Sequence, residues 1–562
     1  PYWVLEANTN DYDKHRIYGN IGFNYAISDN WNVNGKIGID HFNSVSTSRQ
    51  AFGSNSAPNG SYQEDVRSGS ITNMDLFVNY KNEFFGDNFT LDLTFGGSQL
   101  KFRDKINAVT APQLQLPDLY DLNNLRAGSN YTITDYTGEA NYNSLIGYGT
   151  IGWKNMIFLD FTARNDWASI LPSDNNSYFY PSVTGSAVIS DLVNADSWFL
   201  KIRGGWSQVG SVRALGPYSV DPIYGLSAQP FGSTTVGFLP GTLNNPNIKS
   251  ETTTGVEIGA DLRLFQNRLR LNVTGYDQTS EDLIVPVQIS AASGVTNVIS
   301  NVGEMRNKGI EVTAGATIVQ TDNWTVDLDV NFAKNENTVE SLGGLDALVL
   351  GGQWNMTLEA REGEPYGSIV GNKWERTPSG AILYENGLPV IAPGTDIIGN
   401  VTPDWTGGVA LTVKYKNFSF YGLVDAKIGG DVHSMTTTWG NFAGALSGTL
   451  AGRETGIVGK GEMIDAAGNY VINNVVRTAE SFNKAFYDNS IVESAVFDAS
   501  YVKLRQLMLT YTLPKKLFQN AMVDVLQLSL VGRNLAILHK NAPHIDPESA
   551  FSSRNADQGQ YF

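Results

Sequence analysis

The feature that most constrains this chain is a repeated alternation of apolar and polar residues with a period of two. Between Arg16 and Ile27, Ile21 and Phe23 belong to an apolar set and their neighbours to a more polar set. Because successive side chains of a strand point to opposite faces, this run predicts a strand with one apolar face. The alternation restarts at Trp31, after the polar turn Ser28–Asn30. Each run is about 12 residues long, which exceeds the usual soluble strand and is enough for a tilted membrane strand.

The same unit recurs along the chain and predicts about eight hairpins, hence about sixteen strands. Short turns are expected near Asp29, Asn82, Lys154, Asp191, Gln266, Asp322, Lys416 and Lys515. Long polar stretches separate the hairpins, at 43–71, 103–142, 211–251, 335–404 and 429–499. Short turns on one side and long loops on the other are typical of outer-membrane barrels. We therefore predict an all-β chain that forms a large antiparallel transmembrane β-barrel.

Composition narrows the function classes. Charged residues make up 17% of the chain, aromatic residues 11%, and cysteine is absent. The net charge of −17 argues against a nucleic-acid partner, which needs clustered Lys and Arg. The sequence has no apolar run of about 18 residues, so it predicts no transmembrane helix. The alternative is a soluble protein of tandem β-sandwiches, and the long strands and uneven connections weigh against it.

Several stretches resemble the SusC/RagA-like TonB-dependent transporters of Bacteroidota. They are Arg164-Asn165-Asp166-Trp167, Asn176-Ser177-Tyr178-Phe179-Tyr180-Pro181-Ser182, Asn245-Pro246-Asn247-Ile248-Lys249, Asn301-Val302-Gly303-Glu304-Met305, Val401-Thr402-Pro403-Asp404-Trp405, Asp498-Ala499-Ser500-Tyr501-Val502-Lys503-Leu504-Arg505 and Gly532-Arg533-Asn534-Leu535. Each is weak alone, but their order between predicted strands is specific. The likeness spans nearly the whole chain.

The resemblance implies a 22-strand barrel in the outer membrane of a Gram-negative cell, with an N-terminal plug and a TonB box. We expect residues 1–562 to be a partial TonB-dependent receptor-like barrel domain that lacks the plug and the last strand. By itself, this segment is not expected to transport. The implied partners are a SusD-like surface lipoprotein, TonB and outer-membrane lipid. A dimer of such pairs is left open.

The resemblance implies import of a nutrient, a glycan or oligosaccharide or else a peptide, energised through TonB. The alternative is a passive porin-like or structural barrel. No catalytic constellation stands out, so no enzyme is predicted, and no cofactor is expected. His539 and His544 lie near Asp546 and Glu548, but their irregular spacing in a loop predicts solvated side chains rather than a metal site.

Two sets of residues are candidates for function. Polar residues of the strands are expected to face the lumen, where they line a substrate path or contact the plug, or simply wet the wall: Arg16, Lys36, Asp40, Asp92, Asp160, Arg164, Asp329, Asp425 and Arg533. Loop aromatics suit sugar stacking, loop packing or a partner: Trp167, Trp354, Trp374 and Trp439. Loops 335–404 and 429–499 are expected to form the extracellular face and meet the lipoprotein. Alternate residues should meet lipid: Ile21, Phe23, Leu159, Phe161, Val326 and Leu328.

Overall fold

The structure is a computed structural model that describes residues 2–86, 88–227, 231–488, 491–517, 523–548 and 560–561. Its main element is a sheet of sixteen strands, the number that the sequence predicts. The strands of this sheet are β1 (Asn10–Ala26), β2 (Trp31–Ser54), β3 (Ala57–Phe84), β4 (Phe89–Ala111), β5 (Thr132–Trp153), β6 (Ile157–Ala168), β7 (Ser177–Val188), β8 (Trp198–Ser211), β12 (Glu251–Leu264), β13 (Leu269–Glu281), β16 (Glu304–Gln320), β17 (Trp324–Ser341), β24 (Trp405–Tyr415), β25 (Phe418–Ile428), β32 (Tyr501–Thr512) and β33 (Gln527–Lys540). They are neighbours in chain order, as expected for successive antiparallel hairpins.

Shorter elements fill the connections. The strands are β9 (Gly225–Leu226), β10 (Gly237–Phe238), β11 (Thr242–Leu243), β14 (Ile284–Gln288), β15 (Asn297–Asn301), β18 (Leu348–Gln353), β19 (Met356–Ala360), β20 (Ser368–Gly371), β21 (Leu383–Glu385), β22 (Leu388–Pro389), β23 (Asp396–Asn400), β26 (Asp431–Ser434), β27 (Ile457–Val458), β28 (Glu462–Ile464), β29 (Tyr470–Ile472), β30 (Val476–Arg477), β31 (Val496–Asp498) and β34 (Gln560–Tyr561). The α-helices are α1 (Tyr2–Ala7), α2 (Ile189–Leu192), α3 (Met435–Phe442) and α4 (Ala479–Asp488). Short 3-10 turns lie at Leu122–Asn124, Ala291–Ser293, Ser447–Leu450, Val492–Ala495 and Lys515–Leu517. Within the described ranges, every helix is too short or too polar to cross a bilayer.

The chain divides into two compact units. The first consists of Pro1–Ser186, Gly205–Thr254 and Asp282–Asn301, and the second of Ala187–Gly204, Gly255–Glu281 and Val302–Phe562. In each unit the buried hydrophobic clusters lie mainly in the connections. One cluster of the first unit joins Ile170, Leu171, Val212 and Ile248, and one of the second joins Met356, Leu358, Ile369 and Val492. Most residues of the sheet strands are half-exposed or exposed.

Strand register settles which side chains share a face, because residues directly opposite each other in a ladder point the same way. In the first unit, Lys36 lies opposite Asp75 and Asp160 opposite Thr150. These positions belong to one polar face that runs from β1 to β6. The apolar candidates Ile21, Phe23, Leu159 and Phe161 lie on the other face. The alternation therefore predicted the two faces of this part of the sheet correctly.

The second unit shows the same division. Asp329 lies opposite Gly315 of β16 and Ala410 of β24, and Asp425 lies opposite Lys503. Val326 and Leu328 are on the other face, opposite Val413 and Leu411. Each unit thus presents one polar and one apolar surface of the sheet.

Aromatic rings gather where the strands of the apolar face meet the short turns. Trp31 packs on Tyr80 with ring centroids 4.7 Å apart in the first unit. In the second unit, Trp324 packs on Tyr415 at 4.4 Å, and Phe418 packs on Tyr511 at 4.7 Å. Rows of aromatics at the rim of an apolar face are typical of the interface girdles of membrane barrels. That the apolar residues between them meet lipid stays a prediction.

The expected long loop at 43–71 is wrong. Strands β2 and β3 continue through it as 24-residue and 28-residue strands, joined only by Asn55 and Ser56. The expected loop at 103–142 is shortened in the same way, because β4 extends to Ala111 and β5 begins at Thr132. A strand of 28 residues is about 90 Å long at about 3.3 Å per residue. The apolar band of such a barrel is about 25 Å tall, so these strands reach well beyond it.

Candidate functional site

Several charged side chains on the polar face of the first unit have polar partners. Arg16 and Asp40 pair across β1 and β2, with Arg16 Nε donating to Asp40 Oδ1 at 2.8 Å. Asp160 accepts a hydrogen bond of 2.6 Å from the Thr150 hydroxyl. Lys36 lies on the same face, next to Asp75 across the ladder. The structure therefore collects the predicted inward residues of this unit on one surface, and their role in a substrate path or plug contact stays a prediction.

Side chains from two of the sequence stretches that resemble the transporter family form one cluster on β6 and β7. Arg164 Nε donates to Asp166 Oδ1 at 2.7 Å, and Arg164 Nη2 donates to the Ser144 hydroxyl at 3.1 Å. The Tyr180 hydroxyl donates to Asp166 Oδ2 at 2.5 Å. Tyr178 stacks on Tyr180 with centroids 5.9 Å apart. The side chain of Asp166 is only 7% exposed, so these hydrogen bonds replace those that its carboxylate would otherwise make with water.

In the second unit, the predicted residues Asp329 and Asp425 each pair with an arginine. Arg270 Nη2 lies 3.3 Å from Asp329 Oδ1, and Arg505 Nη2 donates to Asp425 Oδ2 at 2.8 Å. Arg533 lies opposite Gln506 on β33, on the same face as Asp425. Sequence reasoning did not select Arg270, which stands at an alternating position of a predicted strand, or Arg505, which lies at an irregularity of β32 between the paired residues Leu504 and Gln506.

Asp546 and Glu548 lie in a loop, as expected, and their side chains are 38% and 42% exposed. Both also bind Lys503 of β32 at 2.6 Å, an ion pairing that the sequence did not predict. Glu548 also binds Arg505 at 2.6 Å, and hydrogen bonding to that guanidinium lowers the pKa of the Glu548 carboxyl below its ordinary value. Among the described residues, no cluster of three or more His, Asp or Glu side chains is arranged to hold a metal ion.

The predicted loop aromatics separate into two locations. Trp167 is not in a loop: it is the penultimate residue of β6, opposite Asn143, on the apolar face of the sheet. The alternation of β6 continues through it. Trp354, Trp374 and Trp439 do lie in the connections, all in the second unit.

These three tryptophans converge on helix α4. Tyr487 of α4 packs on Trp354 at 4.9 Å and on Trp439 at 4.8 Å, and Phe486 packs on Trp374 at 5.3 Å. Trp354 and Trp439 also touch each other, with centroids 5.5 Å apart. We name Trp354, Trp439, Phe442 and Tyr487 the aromatic cluster. Trp354 is 50% exposed and Trp439 is 40% exposed, so the cluster presents ring faces to its surroundings.

The aromatic cluster joins the two longest connections into one folded body. Trp354 belongs to 335–404 and the other three rings to 429–499. Strand β21 of the first connection pairs in parallel with β28 of the second. Glu493 adds a polar link, because its carboxylate accepts from the backbone of Trp374 at 2.8 Å and from Arg376 Nη2 at 2.7 Å. Sequence reasoning selected both segments but gave no sign that they fold together.

Comparisons with known proteins agree with this architecture. The model of a family described as "TonB dependent receptor-like, beta-barrel" matches residues 1–535. TonB-dependent receptor P3 of Formosa agariphila is 25% identical over 525 residues, which cover 87% of this chain and 50% of that protein. TonB-dependent receptor SusC of Bacteroides thetaiotaomicron is 26% identical over 320 residues, covering 51% of this chain and 30% of that protein. The chain spans between 30% and 58% of the length of the curated relatives that it matches.

A solved structure described as that of the RagAB peptide transporter matches with a TM-score of 0.78 and 20% identity. The match covers 96% of this chain and 60% of that one. At this identity, the likeness establishes a shared fold.

Proposed function

Because this chain belongs to the TonB dependent receptor-like β-barrel family of the outer membrane, we propose that it forms part of the wall of a transporter that imports a nutrient. The observation that carries the proposal is the division of the sheet into two faces. One face holds paired charges such as Arg164 with Asp166, and the other holds apolar residues rimmed by aromatic rings. Charge is tolerated towards a water-filled lumen and is costly towards lipid.

The proposed substrate is a glycan or oligosaccharide, or a peptide. A relative is named SusC, and the matched structure is described as a peptide transporter. Energy would come through TonB, and the chain would work in a SusCD-type complex with a surface lipoprotein. The predicted inward residues then line the path of the substrate or the surface that meets a plug: Arg16, Lys36, Asp160, Arg164, Asp329, Asp425 and Arg533.

Uptake by the whole protein in its native bacterium tests this function. Strains with and without the gene are grown on single glycans and on defined peptides, each with an intact or a deleted tonB gene. On one substrate class, we expect deletion of the gene to reduce growth, and deletion of tonB to reduce growth by the same amount. Uptake that persists without TonB would instead support a passive porin-like barrel.

We further propose that the aromatic cluster is part of the surface that meets the lipoprotein. Aromatic side chains are enriched at the buried centres of interfaces, and here Trp354 and Trp439 are partly exposed on a body fixed by other contacts. In the full-length protein, a Trp354→Ala/Trp439→Ala double variant should co-purify with less of the lipoprotein than the parent does. Tyr470→Ala, at an exposed position of β29 in the same connection, is the control and should retain it. Full co-purification of the double variant would refute this role.

A further inference from the structure

The segment Asn541–Glu548, which we call the strap, follows β33 and is fixed against the residues around β32. Ala542 is 0% exposed and Ile545 is 2% exposed, and both pack with Val432 and Ala499. The Asn541 amide donates to Asp498 Oδ2 at 2.6 Å, and Lys540 Nζ donates to the carbonyl of Ile545 at 2.6 Å. The strap therefore has its own apolar contacts and hydrogen bonds in addition to its charges.

The strap places two carboxylates on two cations of the polar face. Lys503 Nζ contacts Asp546 Oδ1 and Glu548 Oε2, each at 2.6 Å. Arg505 Nη2 contacts the second oxygen of Glu548, also at 2.6 Å. The carboxylate of Glu548 thus binds both cations. The carboxylate of Asp546, two residues earlier, is a second partner of Lys503. This arrangement would suit any ligand that carries two neighbouring carboxylates.

The cation Lys503 is nearly buried beneath the two carboxylates of the strap. The Lys503 side chain is 5% exposed, whereas those of Asp546 and Glu548 are 38% and 42% exposed. Among the described residues, the ion pairs of Lys503 are those with the strap, while Arg505 also keeps Asp425. Removing the two strap carboxylates would leave two cations with one carboxylate, and a nearly buried lysine without an anion. The ion pairs with Lys503 and Arg505 hold the strap in place, so other anions that pair with these two cations should favour its release.

We propose that Lys503 and Arg505 form a carboxylate receptor that the strap occupies, and that a ligand with neighbouring carboxylates competes with Asp546 and Glu548 and releases the strap. The inference rests on the proposed function in one respect, that ligands reach the polar face. An acidic peptide and an oligosaccharide of uronic acids share the required chemistry. Both sources are therefore tested separately.

The test measures how fast a thiol under the strap reacts. This chain has no cysteine, so Ile545→Cys introduces a thiol at a position that is 2% exposed. Any cysteines elsewhere in the full-length protein are first replaced by serine, and the protein is purified in detergent. Maleimide labelling is followed with the peptide Ac-Asp-Pro-Glu-NH2, with trigalacturonate, and with the neutral peptide Ac-Asn-Pro-Gln-NH2.

Saturating acidic ligand should accelerate labelling about tenfold, within the usual range for coupling between two binding events. The neutral peptide should leave the rate unchanged. The acidic probe that accelerates labelling identifies the source of the carboxylates. If neither acidic probe exceeds the neutral peptide, the proposal fails.

Two variants of the Ile545→Cys protein separate the receptor from the strap. Asp546→Asn/Glu548→Gln removes the carboxylates of the strap, so it should label fast without ligand and bind the acidic probe more tightly in calorimetry. Lys503→Gln should label fast and lose its response to the acidic probes. Asp524→Asn, which removes a carboxylate from an exposed pair with Lys515, should behave like the parent.

Slow labelling of Asp546→Asn/Glu548→Gln would overturn the proposal, because the strap would then be held without its charges. Neither labelling nor calorimetry depends on transport. A labelling response in a protein that fails to import would refute the proposed function alone, and import without a response would refute the receptor alone.

Discussion

The imidazole of His433 is one of the most deeply buried polar groups of the chain. It is 2% exposed, and the Gln353 amide donates to its Nδ1 at 2.9 Å and to its carbonyl at 3.1 Å. Burial lowers the pKa of His433 to about 4, since a charged ring would lose its hydration. His433 is therefore neutral at physiological pH.

This burial predicts a loss of stability in acid. An unfolded histidine takes up its proton near pH 6.5 and the folded His433 near pH 4, so the unfolded form binds more protons between these values. The stabilisation is complete above pH 6.5 and is lost as the pH falls towards 4, by up to about 3 kcal/mol. Histidine NMR should show the ring of His433 titrating near pH 4. A midpoint near 6.5 for His433 would contradict its burial.

Asp166 offers a second prediction at the scale of one residue. Asp166→Ala would leave Arg164 without its carboxylate and Tyr180 without its acceptor. We expect a loss of about 2–4 kcal/mol in the free energy of unfolding, because the carboxylate is buried while the arginine is partly exposed. Tyr180→Phe removes one hydrogen bond and should cost only about 1 kcal/mol. Urea titrations in lipid vesicles measure both, and equal losses would show that Asp166 is not the centre of the cluster.

At the scale of the strand, the two faces give the sharpest test. Leu159 and Asp160 are neighbours in β6 and point to opposite faces. Arginine on the lipid face near the middle of the membrane costs about 2–4 kcal/mol, whereas a lumen position tolerates it. Leu159→Arg should therefore make folding into vesicles less favourable by that amount, and Asp160→Arg by much less. Equal losses in the two variants would mean that the assignment of the two faces is wrong.

The strands also show what sequence can and cannot predict. The alternation marked β1, β6 and β17 and their turns, because one face of these strands is apolar and the other is polar. From Asn43 to Arg67 both faces of β2 and β3 carry polar residues. The alternation disappears there, and the segment was taken for a loop. Lys503 and the strap were missed for a different reason: a pairing over more than forty residues leaves no local pattern.

At the scale of the whole molecule, the two longest connections behave as one body. The aromatic cluster draws residues from both, and Tyr487 contacts Trp354, Trp439 and Phe442. No periodic pattern relates positions so far apart in the sequence. The candidate residues could thus be chosen from the sequence, but not their grouping.

This shared body predicts coupled loosening. Tyr487→Ala removes three ring contacts, each worth about 0.5–1.5 kcal/mol beyond burial. Hydrogen exchange should rise both in 348–360 of one connection and in 435–442 of the other. Tyr470→Ala is the control and should affect neither range. Faster exchange confined to 435–442 would show that the connections are independent.

The two-residue turn between β2 and β3 has a practical consequence for imaging. A label inserted in a flexible loop moves with that loop. Asn55 and Ser56, in contrast, join two strands whose backbones are hydrogen-bonded to each other almost up to the turn. A small epitope or dye attached there would be carried at a nearly constant distance from the bilayer. The tip of this hairpin is therefore a suitable labelling site for following single molecules of this protein on living cells.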